Sequence, residues 1–353
     1  MKSAIYKYIH LLQEMISLPS FSREEERVAN LIRDFLNSEK IPFHTKDNNT
    51  WIKNCYWSEG KPVLFLDSHI DTVNPSAGWT RDPFKADIEG DRLYGLGSND
   101  AGASVITLMA VFMELYQRND LPFNLIYAAS AEEEISGPKG MRNLLPELGS
   151  IDLAIIGEPT QMQMAIAEKG LMVLDCTARG KSGHAAREEG ENALYKAIDD
   201  INKLRTFDFP KISQALGRVK MSVTQINAGV QHNVVPDNCA FVVDVRTNEH
   251  YSNQEAFEII KQQISSEVTA RSFHLNSSGI PNDHPLVKRG KELGLNCFGS
   301  PTTSDQAVIP FMSVKTGPGN SSRSHSADEY ICFSEIEEGF KIYLKLLDNL
   351  IIK

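Results

Sequence analysis

The sequence predicts an α/β protein with a mainly parallel central sheet flanked by helices, into which a second, two-layer α+β domain is inserted. Short and nearly continuous apolar runs alternate with helical patterns in residues 1–170 and again in 278–353. This alternation is typical of strands that helices bury on both faces of a parallel sheet. Residues 171–277 follow a different order of elements. We therefore predict one domain from 1–170 and 278–353, and an inserted domain from 171–277.

Two helices are predicted near the N-terminus. The first has apolar residues at helical spacing and ends before Pro19. The sequence Ser-Arg-Glu-Glu at 22–25 fits a capping box, in which the Ser hydroxyl and a Glu carboxylate satisfy backbone N–H groups of the first helical turn. An apolar helix face follows, formed by Val28, Leu31, Ile32, Phe35 and Leu36. The pattern thus predicts that the second helix begins at Ser22.

The rest of the first domain alternates strands with helices. The apolar runs and their spacing predict strands at 62–68, 122–130 and 151–156, and helices at about 101–118 and 138–145. The C-terminal segment continues this alternation. Its last helix is predicted to begin at Ser334, because Glu337 stands at the capping-box spacing.

The inserted domain has its own predicted order of elements. They are strand 171–179, helix 191–205, strand 217–227, strand 238–247, helix 253–267 and strand 271–276. The order βαββαβ is that of the ferredoxin-like plan, a two-layer α+β domain.

Composition excludes several classes of protein. The chain has 353 residues, 41% of them hydrophobic, and a formal net charge of -10, which argues against nucleic acid or an anionic membrane as partner. The sequence has neither the pattern of a signal peptide nor an apolar stretch of the roughly 20 residues that span a bilayer. Five cysteines without a CxxC pair indicate no disulfide framework. We expect a cytoplasmic protein that acts on a small molecule.

Histidine and acidic side chains follow the predicted strands, at the edge where the loops of an α/β sheet converge and ligands bind. They are His69 and Asp71, Asp100, the triplet Glu132, Glu133 and Glu134, Glu158, and His325 near the C-terminus. Imidazole and carboxylates at one edge suit zinc, and a Glu beside a Glu ligand supplies a general base. Taken alone, Asp100 also fits a helix N-cap and the triplet a solvated acidic cluster. The combination predicts a two-metal amide hydrolase.

These motifs resemble the cocatalytic-zinc deacylase and peptidase family that contains acetylornithine deacetylase, succinyl-diaminopimelate desuccinylase, aminoacylases and bacterial glutamate carboxypeptidase. The resemblance is carried, in order from about residue 60 to 330, by His69-x-Asp71, Gly95-x-Gly97-x-x-Asp100, Glu133-Glu134, Gly157-Glu158-Pro159-Thr160 and His325. One departure is that the Lys usual in the family two residues after the bridging Asp is missing here, where Asp100 precedes Ala101-Gly102-Ala103. The resemblance implies a zinc-peptidase domain with an inserted lid and dimerisation domain.

The resemblance also implies a role for each motif residue. The implied metal ligands are His69 and Glu158 for one zinc, Glu134 and His325 for the other, and Asp100 as the bridge. Asp71 is expected to orient His69, and Glu133 to act as general base. The expected cofactor is therefore two Zn2+, with Co2+ or Mn2+ as substitutes.

Further residues match the family's substrate and oxyanion positions. His184, in the loop 181–185, resembles the histidine that the partner subunit of a homodimer supplies to stabilise the oxyanion. Asn233 and Arg246 resemble the substrate-binding Asn and the carboxylate-binding Arg, and Gly317 is expected to bind substrate as well. Arg187 stands where small or hydroxyl residues are commoner in the family, which leaves the size and charge of the acyl group open.

The segment Gly317-Pro318-Gly319, followed by His325 and by Asp328-Glu329-Tyr330, is most similar to that of acetylornithine deacetylase. We therefore expect removal of the acetyl group from N-acetyl-L-ornithine in arginine biosynthesis. The alternatives are a desuccinylase acting on succinyl-ornithine, succinyl-citrulline or succinyl-diaminopimelate, an acetylcitrulline deacetylase, a carrier-linked lysine or ornithine hydrolase, and a dipeptidase. A non-catalytic zinc-binding module is a different class. A nucleotide enzyme is disfavoured because the glycines at 95 and 97 lack the third glycine of a dinucleotide fingerprint.

Overall fold

A computed structural model describes residues 2–352 of the chain, with side chains from Ile5 onward. The chain divides into two compact units. Unit 1 consists of Met1–Ile166, Gly279–Phe298 and Ser304–Lys353, and unit 2 of Ala167–Ser278 and Gly299–Thr303. None of the helices in the described residues is long and apolar enough to cross a membrane.

The helices and strands are numbered in chain order. The helices are α1 (Lys2–Ile16), α2 (Glu26–Ser38), α3 (Ala103–Leu115), α4 (Met141–Leu148), α5 (Ala193–Thr206), α6 (Asn253–Lys261), α7 (Pro285–Glu292) and α8 (Phe333–Leu347). The strands are β1 (His44–Lys46), β2 (Asn49–Lys53), β3 (Val63–His69), β4 (Asp87–Glu89), β5 (Arg92–Tyr94), β6 (Asn124–Ser130), β7 (Leu153–Ile156), β8 (Met164–Glu168), β9 (Met172–Arg179), β10 (Gly183–His184), β11 (Lys220–Ala228), β12 (Val234–Val235), β13 (Asn238–Arg246), β14 (Glu267–Ala270), β15 (Ser278–Gly279), β16 (Cys297–Ser300), β17 (Ser313–Lys315) and β18 (Tyr330–Cys332).

Unit 1 is built on a sheet with the strand order β1-β2-β6-β3-β7-β17-β8-β15, in which β16 also pairs with β8. Strands β6, β3, β7 and β17 run parallel to one another, whereas β2 is antiparallel to β6 and β8 is antiparallel to β17. Every residue of β3 and β6 is buried, because one face of the sheet packs against α1, α2, α3 and α8 and the other against α4. The predicted α/β class with a mainly parallel sheet is confirmed.

The predicted starts of two helices in unit 1 are wrong. Helix α2 begins at Glu26 without a side-chain cap, and the Ser22 hydroxyl donates to the carboxylate of Asp71 instead. Helix α8 begins at Phe333, and the Ser334 hydroxyl donates to Asp91. In both places the sequence matches a local capping pattern, but an aspartate distant in sequence accepts the hydrogen bond of the serine hydroxyl.

Unit 2 contains an antiparallel sheet with the order β11-β13-β9-β14. Alternate residues of β9 and β13 are buried, where they form one core with α5 and α6. Apart from the two-residue strands β10 and β12, the elements of this unit follow one another as βαββαβ. They are β9, α5, β11, β13, α6 and β14.

Two predicted boundaries in unit 2 are wrong. Helix α6 ends at Lys261 rather than at 267, and the last strand is β14, not 271–276. The cause is the carboxylate of Asp200, which accepts hydrogen bonds from the backbone N–H groups of Ser265 (3.0 Å) and Ser266 (2.8 Å). These bonds hold a turn where the apolar pattern alone would continue the helix.

Candidate metal centre

The site forms in unit 1 where adjacent parallel strands end. Strand β3 ends at His69, which stands opposite Ser130 at the end of β6, and Asp67 of β3 stands opposite Ile156 at the end of β7. The glutamate triplet follows β6 and Glu158 follows β7. Asp100 lies in an irregular turn, Ser98–Gly102, that leads into α3. Since the carboxyl ends of parallel strands meet at one edge, these side chains converge there.

The two histidines lie on either side of Asp100. The Nε2 atom of His69 is 3.2 Å from Oδ1 of Asp100, and Nε2 of His325 is 3.8 Å from Oδ2 of the same carboxylate. His325 Nε2 also lies 3.0 Å from a carboxylate oxygen of Glu134. On the other side, His69 Nε2 is 3.8 Å from Glu158 and 4.0 Å from Glu133. Each oxygen of Asp100 therefore faces a different histidine, as a carboxylate that bridges two cations would.

Two groups of three residues bring their ligand atoms within 4.8 Å of one another, namely His69, Asp100 and Glu134, and His69, Glu133 and Glu158. This grouping differs from the predicted division of the ligands between two ions, because it pairs His69 with Glu134. In the predicted division Glu134 belongs with His325, whose Nε2 lies 3.0 Å from the Glu134 carboxylate. This division stays a prediction.

The electrostatics of the site favour bound cations. Burial and the repulsion of Glu158 raise the pKa of Glu133 well above its usual range, and burial and the charge of Asp100 raise the pKa of Glu134 to about 8. Burial opposes the charged form of His69, but its hydrogen bonds to Asp100 and Asp71 outweigh it and raise its pKa. Divalent cations relieve such repulsion, and nitrogen and carboxylate donors fit zinc. The residues present therefore fit a pair of divalent ions.

Asp71 supports both sides of the site. The Nδ1 atom of His69 lies 2.9 Å from the backbone carbonyl oxygen of Asp71 and 3.5 Å from its carboxylate, which leaves Nε2 directed at the acidic cluster. The Asp71 carboxylate also accepts the backbone N–H groups of Glu133 (3.0 Å) and Glu134 (3.1 Å). One residue thus fixes the imidazole and the segment that carries two of the carboxylates.

Glu329 is a supporting residue that the sequence analysis missed. Its buried carboxylate accepts the backbone N–H groups of Gly97 (3.1 Å), Asn99 (2.8 Å) and Asp100 (2.9 Å). Burial, with the nearby charge of Asp100, raises the pKa of Glu329 to about 8. These bonds fix the turn that presents Asp100. In the sequence, Glu329 is marked only as an acidic residue four positions after His325, and nothing near it in the chain indicates that its carboxylate binds residues 97–100.

Gly317 lies against the loop that carries Glu158. A Cβ atom at Gly317 would be 2.6 Å from the backbone oxygen of Glu158 and 2.4 Å from Oγ of Ser104. The N–H group of Gly317 donates to Oγ1 of Thr160 (3.0 Å). Glycine is needed here for close packing, and the predicted contact of Gly317 with substrate stays a prediction.

The other predicted residues belong to unit 2. His184 is exposed on β10, and its Nδ1 accepts the N–H group of Ala186 (3.1 Å). The backbone oxygen of Asn233 accepts the N–H group of Ala185 (2.9 Å). Arg246 donates from Nε and Nη2 to the two carboxylate oxygens of Asp244 (2.9 and 3.2 Å). The carboxylate of Asp244, on the same strand β13, therefore holds the guanidinium of Arg246.

The sequence of this chain is similar to that of known proteins. The sequence pattern of "Peptidase family M20/M25/M40" matches residues 65–349. A probable succinyl-diaminopimelate desuccinylase of Staphylococcus aureus is 26% identical over 92% of this chain and 92% of its own length.

Two solved structures have similar folds. The aminopeptidase PepT of Bacillus cereus has a TM-score of 0.78 at 15% identity, with 98% of each chain covered. The YXEP protein of Bacillus subtilis, described as a dinuclear metal binding peptidase of the M20 family, has a TM-score of 0.74 at 17% identity, again with 98% of each chain covered. At these identities the likeness concerns the fold.

Proposed function

Because this chain belongs to peptidase family M20/M25/M40 and is therefore a hydrolase of amide bonds, we propose that it removes the N-acyl group from N-acyl-L-amino acids with two bound metal ions. The first candidate substrate is N-acetyl-L-ornithine, whose deacetylation supplies ornithine for arginine biosynthesis. The observation that carries the proposal is Asp100, with one carboxylate oxygen towards His69 and the other towards His325. The proposed ions are Zn2+, with Co2+ or Mn2+ as substitutes.

The proposal assigns each ligand to one of the two ions. His69 and Glu158 would hold one ion, Glu134 and His325 would hold the other, and Asp100 would be shared between them. Ions bound there polarise an acyl carbonyl and lower the pKa of a bound water. Glu133 takes a proton from the attacking water and delivers it to the leaving nitrogen, as a general base that then acts as an acid.

We propose that His184 stabilises the oxyanion of the tetrahedral intermediate. Its Nδ1 accepts the N–H group of Ala186, so the neutral ring carries its proton on Nε2. An exposed Nε2–H group is a donor suited to a developing negative charge. Because His184 belongs to unit 2 and the metal ligands to unit 1, we propose that a partner subunit supplies it.

The surface of unit 2 supports a homodimer. In the described part of the chain, β11 is an end strand that pairs with β13 alone, so its outer backbone groups can pair with a second copy. Apolar side chains are exposed on this strand and on α5, namely Ile226 (46% exposed), Tyr195 (67%) and Ile198 (42%). Such residues suit the centre of an interface.

Mixed subunits test the trans arrangement. His184→Ala and Glu133→Gln homodimers are each expected to be nearly inactive, whereas a hybrid regains one site that combines intact Glu133 with intact His184. With random exchange about half of the dimers are hybrids with one restored site in two, so about a quarter of wild-type activity returns. Subunit exchange is checked by mass spectrometry of tagged chains. Exchange without recovery of activity contradicts a histidine supplied in trans.

Arg246 is proposed to bind the α-carboxylate of the substrate through a charge-assisted contact. We expect Arg246→Ala to lower kcat/KM by about a hundredfold, mainly through KM, for every acyl amino acid. Steady-state kinetics measure this, with Arg179→Ala as control because Arg179 is an exposed arginine of unit 2 that pairs with Glu267. An unchanged KM in Arg246→Ala would remove the residue from the binding site.

A substrate panel tests the proposed function directly. Acetylornithine, acetylcitrulline, their succinyl counterparts, succinyl-diaminopimelate, carrier-linked lysine and dipeptides are assayed with Zn2+ and with Co2+. The proposal expects the highest kcat/KM for acetylornithine. Metal binding without turnover of any compound would indicate the non-catalytic alternative.

The second candidate is a desuccinylase. The named relative from Staphylococcus aureus favours it, as does Arg187, whose N–H group donates to the backbone oxygen of His184 (2.9 Å). The side chain of Arg187 is exposed and lies 3.7 Å from the carboxylate of Glu189. In this second candidate the distal carboxylate of a succinyl group replaces Glu189 as its partner. A large preference for succinylornithine that Arg187→Ala abolishes would replace the acetyl assignment.

A further inference from the structure

The segment between α1 and α2, residues 20–25, contacts the metal centre. The hydroxyl of Ser20 donates to the backbone oxygen of Ile70 (2.8 Å), and the N–H group of Thr72 donates to the backbone oxygen of Ser20 (2.8 Å). Ser22 donates to the carboxylate of Asp71 (2.7 Å). The segment therefore holds the loop that follows β3.

Glu25 extends these contacts to the loop that follows β6. Its side chain has no solvent exposure, and its carboxylate accepts the backbone N–H groups of Arg23 (2.6 Å) and Glu132 (3.2 Å) and the side-chain amide of Asn48 (2.8 Å). A buried carboxylate is costly unless donors surround it. Arg23 and Glu132 donate to Oε1 and Asn48 donates to Oε2, so an NH2 group in place of either oxygen sets a donor against a donor.

The backbone of the glutamate triplet depends on such side-chain acceptors. The N–H group of Ala131 donates to the side chain of Asn49 (3.0 Å) and that of Glu132 to Glu25. The backbone N–H groups of Glu133 and Glu134 donate to the carboxylate of Asp71. The φ angle of Glu132 is 55°, in the left-handed region that residues with a side chain seldom adopt. Such a conformation persists where surrounding contacts fix it.

We propose that Glu25 is a positioning residue of the active site. Through the N–H group of Glu132 it fixes the backbone conformation from which the next two side chains project. The inference rests on the proposed function in that Glu133 is the general base and Glu134 a metal ligand. Glu25 touches neither of these side chains and acts only through the backbone that carries them.

The test is Glu25→Gln, which keeps the shape but turns an NH2 group towards one of the three donors. Supporting residues of metal sites contribute about 10–100-fold to activity or metal affinity. We expect kcat to fall by about this factor with KM within about twofold, and the visible absorption spectrum of the Co2+-loaded protein to change. Glu24→Gln is the matched control, because Glu24 is an exposed neighbour, and it should match the wild type in both measurements.

A second variant covers a failure to fold. Asn48→Ala removes one donor from Glu25 and leaves the carboxylate in place, so it should shift kcat and the Co2+ spectrum in the same direction by a smaller factor. The proposal is overturned if Glu25→Gln has a lower melting temperature but an unchanged kcat and an unchanged Co2+ spectrum. If Glu25→Gln is insoluble, the same result in folded Asn48→Ala overturns it. The Co2+ spectrum is recorded without substrate, so it tests the role of Glu25 even if the proposed reaction is wrong. An error in the proposed reaction would show separately, as full activity of Glu133→Gln.

Discussion

Glu133→Gln is expected to lose nearly all turnover and to keep its metal content. The amide cannot accept the proton of the attacking water, and general acid–base groups contribute about 10²–10⁴-fold to rate. The variant has almost the same volume, and Asp71 holds the backbone N–H group of residue 133, so the fold should persist. Measurement of kcat alongside metal content by atomic emission separates loss of chemistry from loss of metal.

Glu134→Gln serves as the comparison for this experiment. Its side chain lies 3.0 Å from Nε2 of His325, so we expect weaker binding of one metal ion and an activity that excess metal restores in part. If Glu133→Gln loses metal and Glu134→Gln loses only turnover, the roles of the two residues are exchanged and the general base is Glu134.

Asp100→Asn is expected to weaken both metal ions together. The native carboxylate presents one oxygen towards each histidine, whereas an amide has a single neutral oxygen. The loss should exceed the about 10–100-fold typical of supporting residues. Titration with a chelator and measurement of metal stoichiometry check it, with the surface variant Asp120→Asn as control, since Asp120 is an exposed partner of Arg118. Two ions bound with wild-type affinity in Asp100→Asn would show that Asp100 is not shared between them.

The convergence of three candidate segments was predictable because each lies at the end of a strand or directly after one. His69 is the last residue of β3, and the glutamate triplet and Glu158 come after β6 and β7. These three strands lie side by side in the sheet, so the apolar pattern and the rule for parallel strands are enough to bring the side chains together. Asp100 and His325 were also expected to follow strands, and this expectation is wrong. Asp100 lies in the turn Ser98–Gly102, and His325 comes after the short helix Ser321–Arg323.

Contacts between distant segments explain what the sequence analysis missed. Ser22 and Glu25 match a capping box in spacing, but their side chains meet Asp71 and Glu132, which lie far along the chain. A pattern within four residues carries no information about such partners. The same holds for Glu329, whose three N–H donors lie at 97–100.

The position of β17 has a consequence for folding during synthesis. This strand lies between β7 and β8 in the sheet, yet the ribosome adds it only at Ser313–Lys315, after all of unit 2 up to Ser278. Until then β7 and β8 each have an unpaired edge, which is prone to wrong pairing. His325 and Glu329 emerge later still, so a nascent chain lacks one histidine of the site and the carboxylate that holds the Asp100 turn. Closure of the sheet over so long a sequence separation is a slow step, and metal capture by the complete site must follow it.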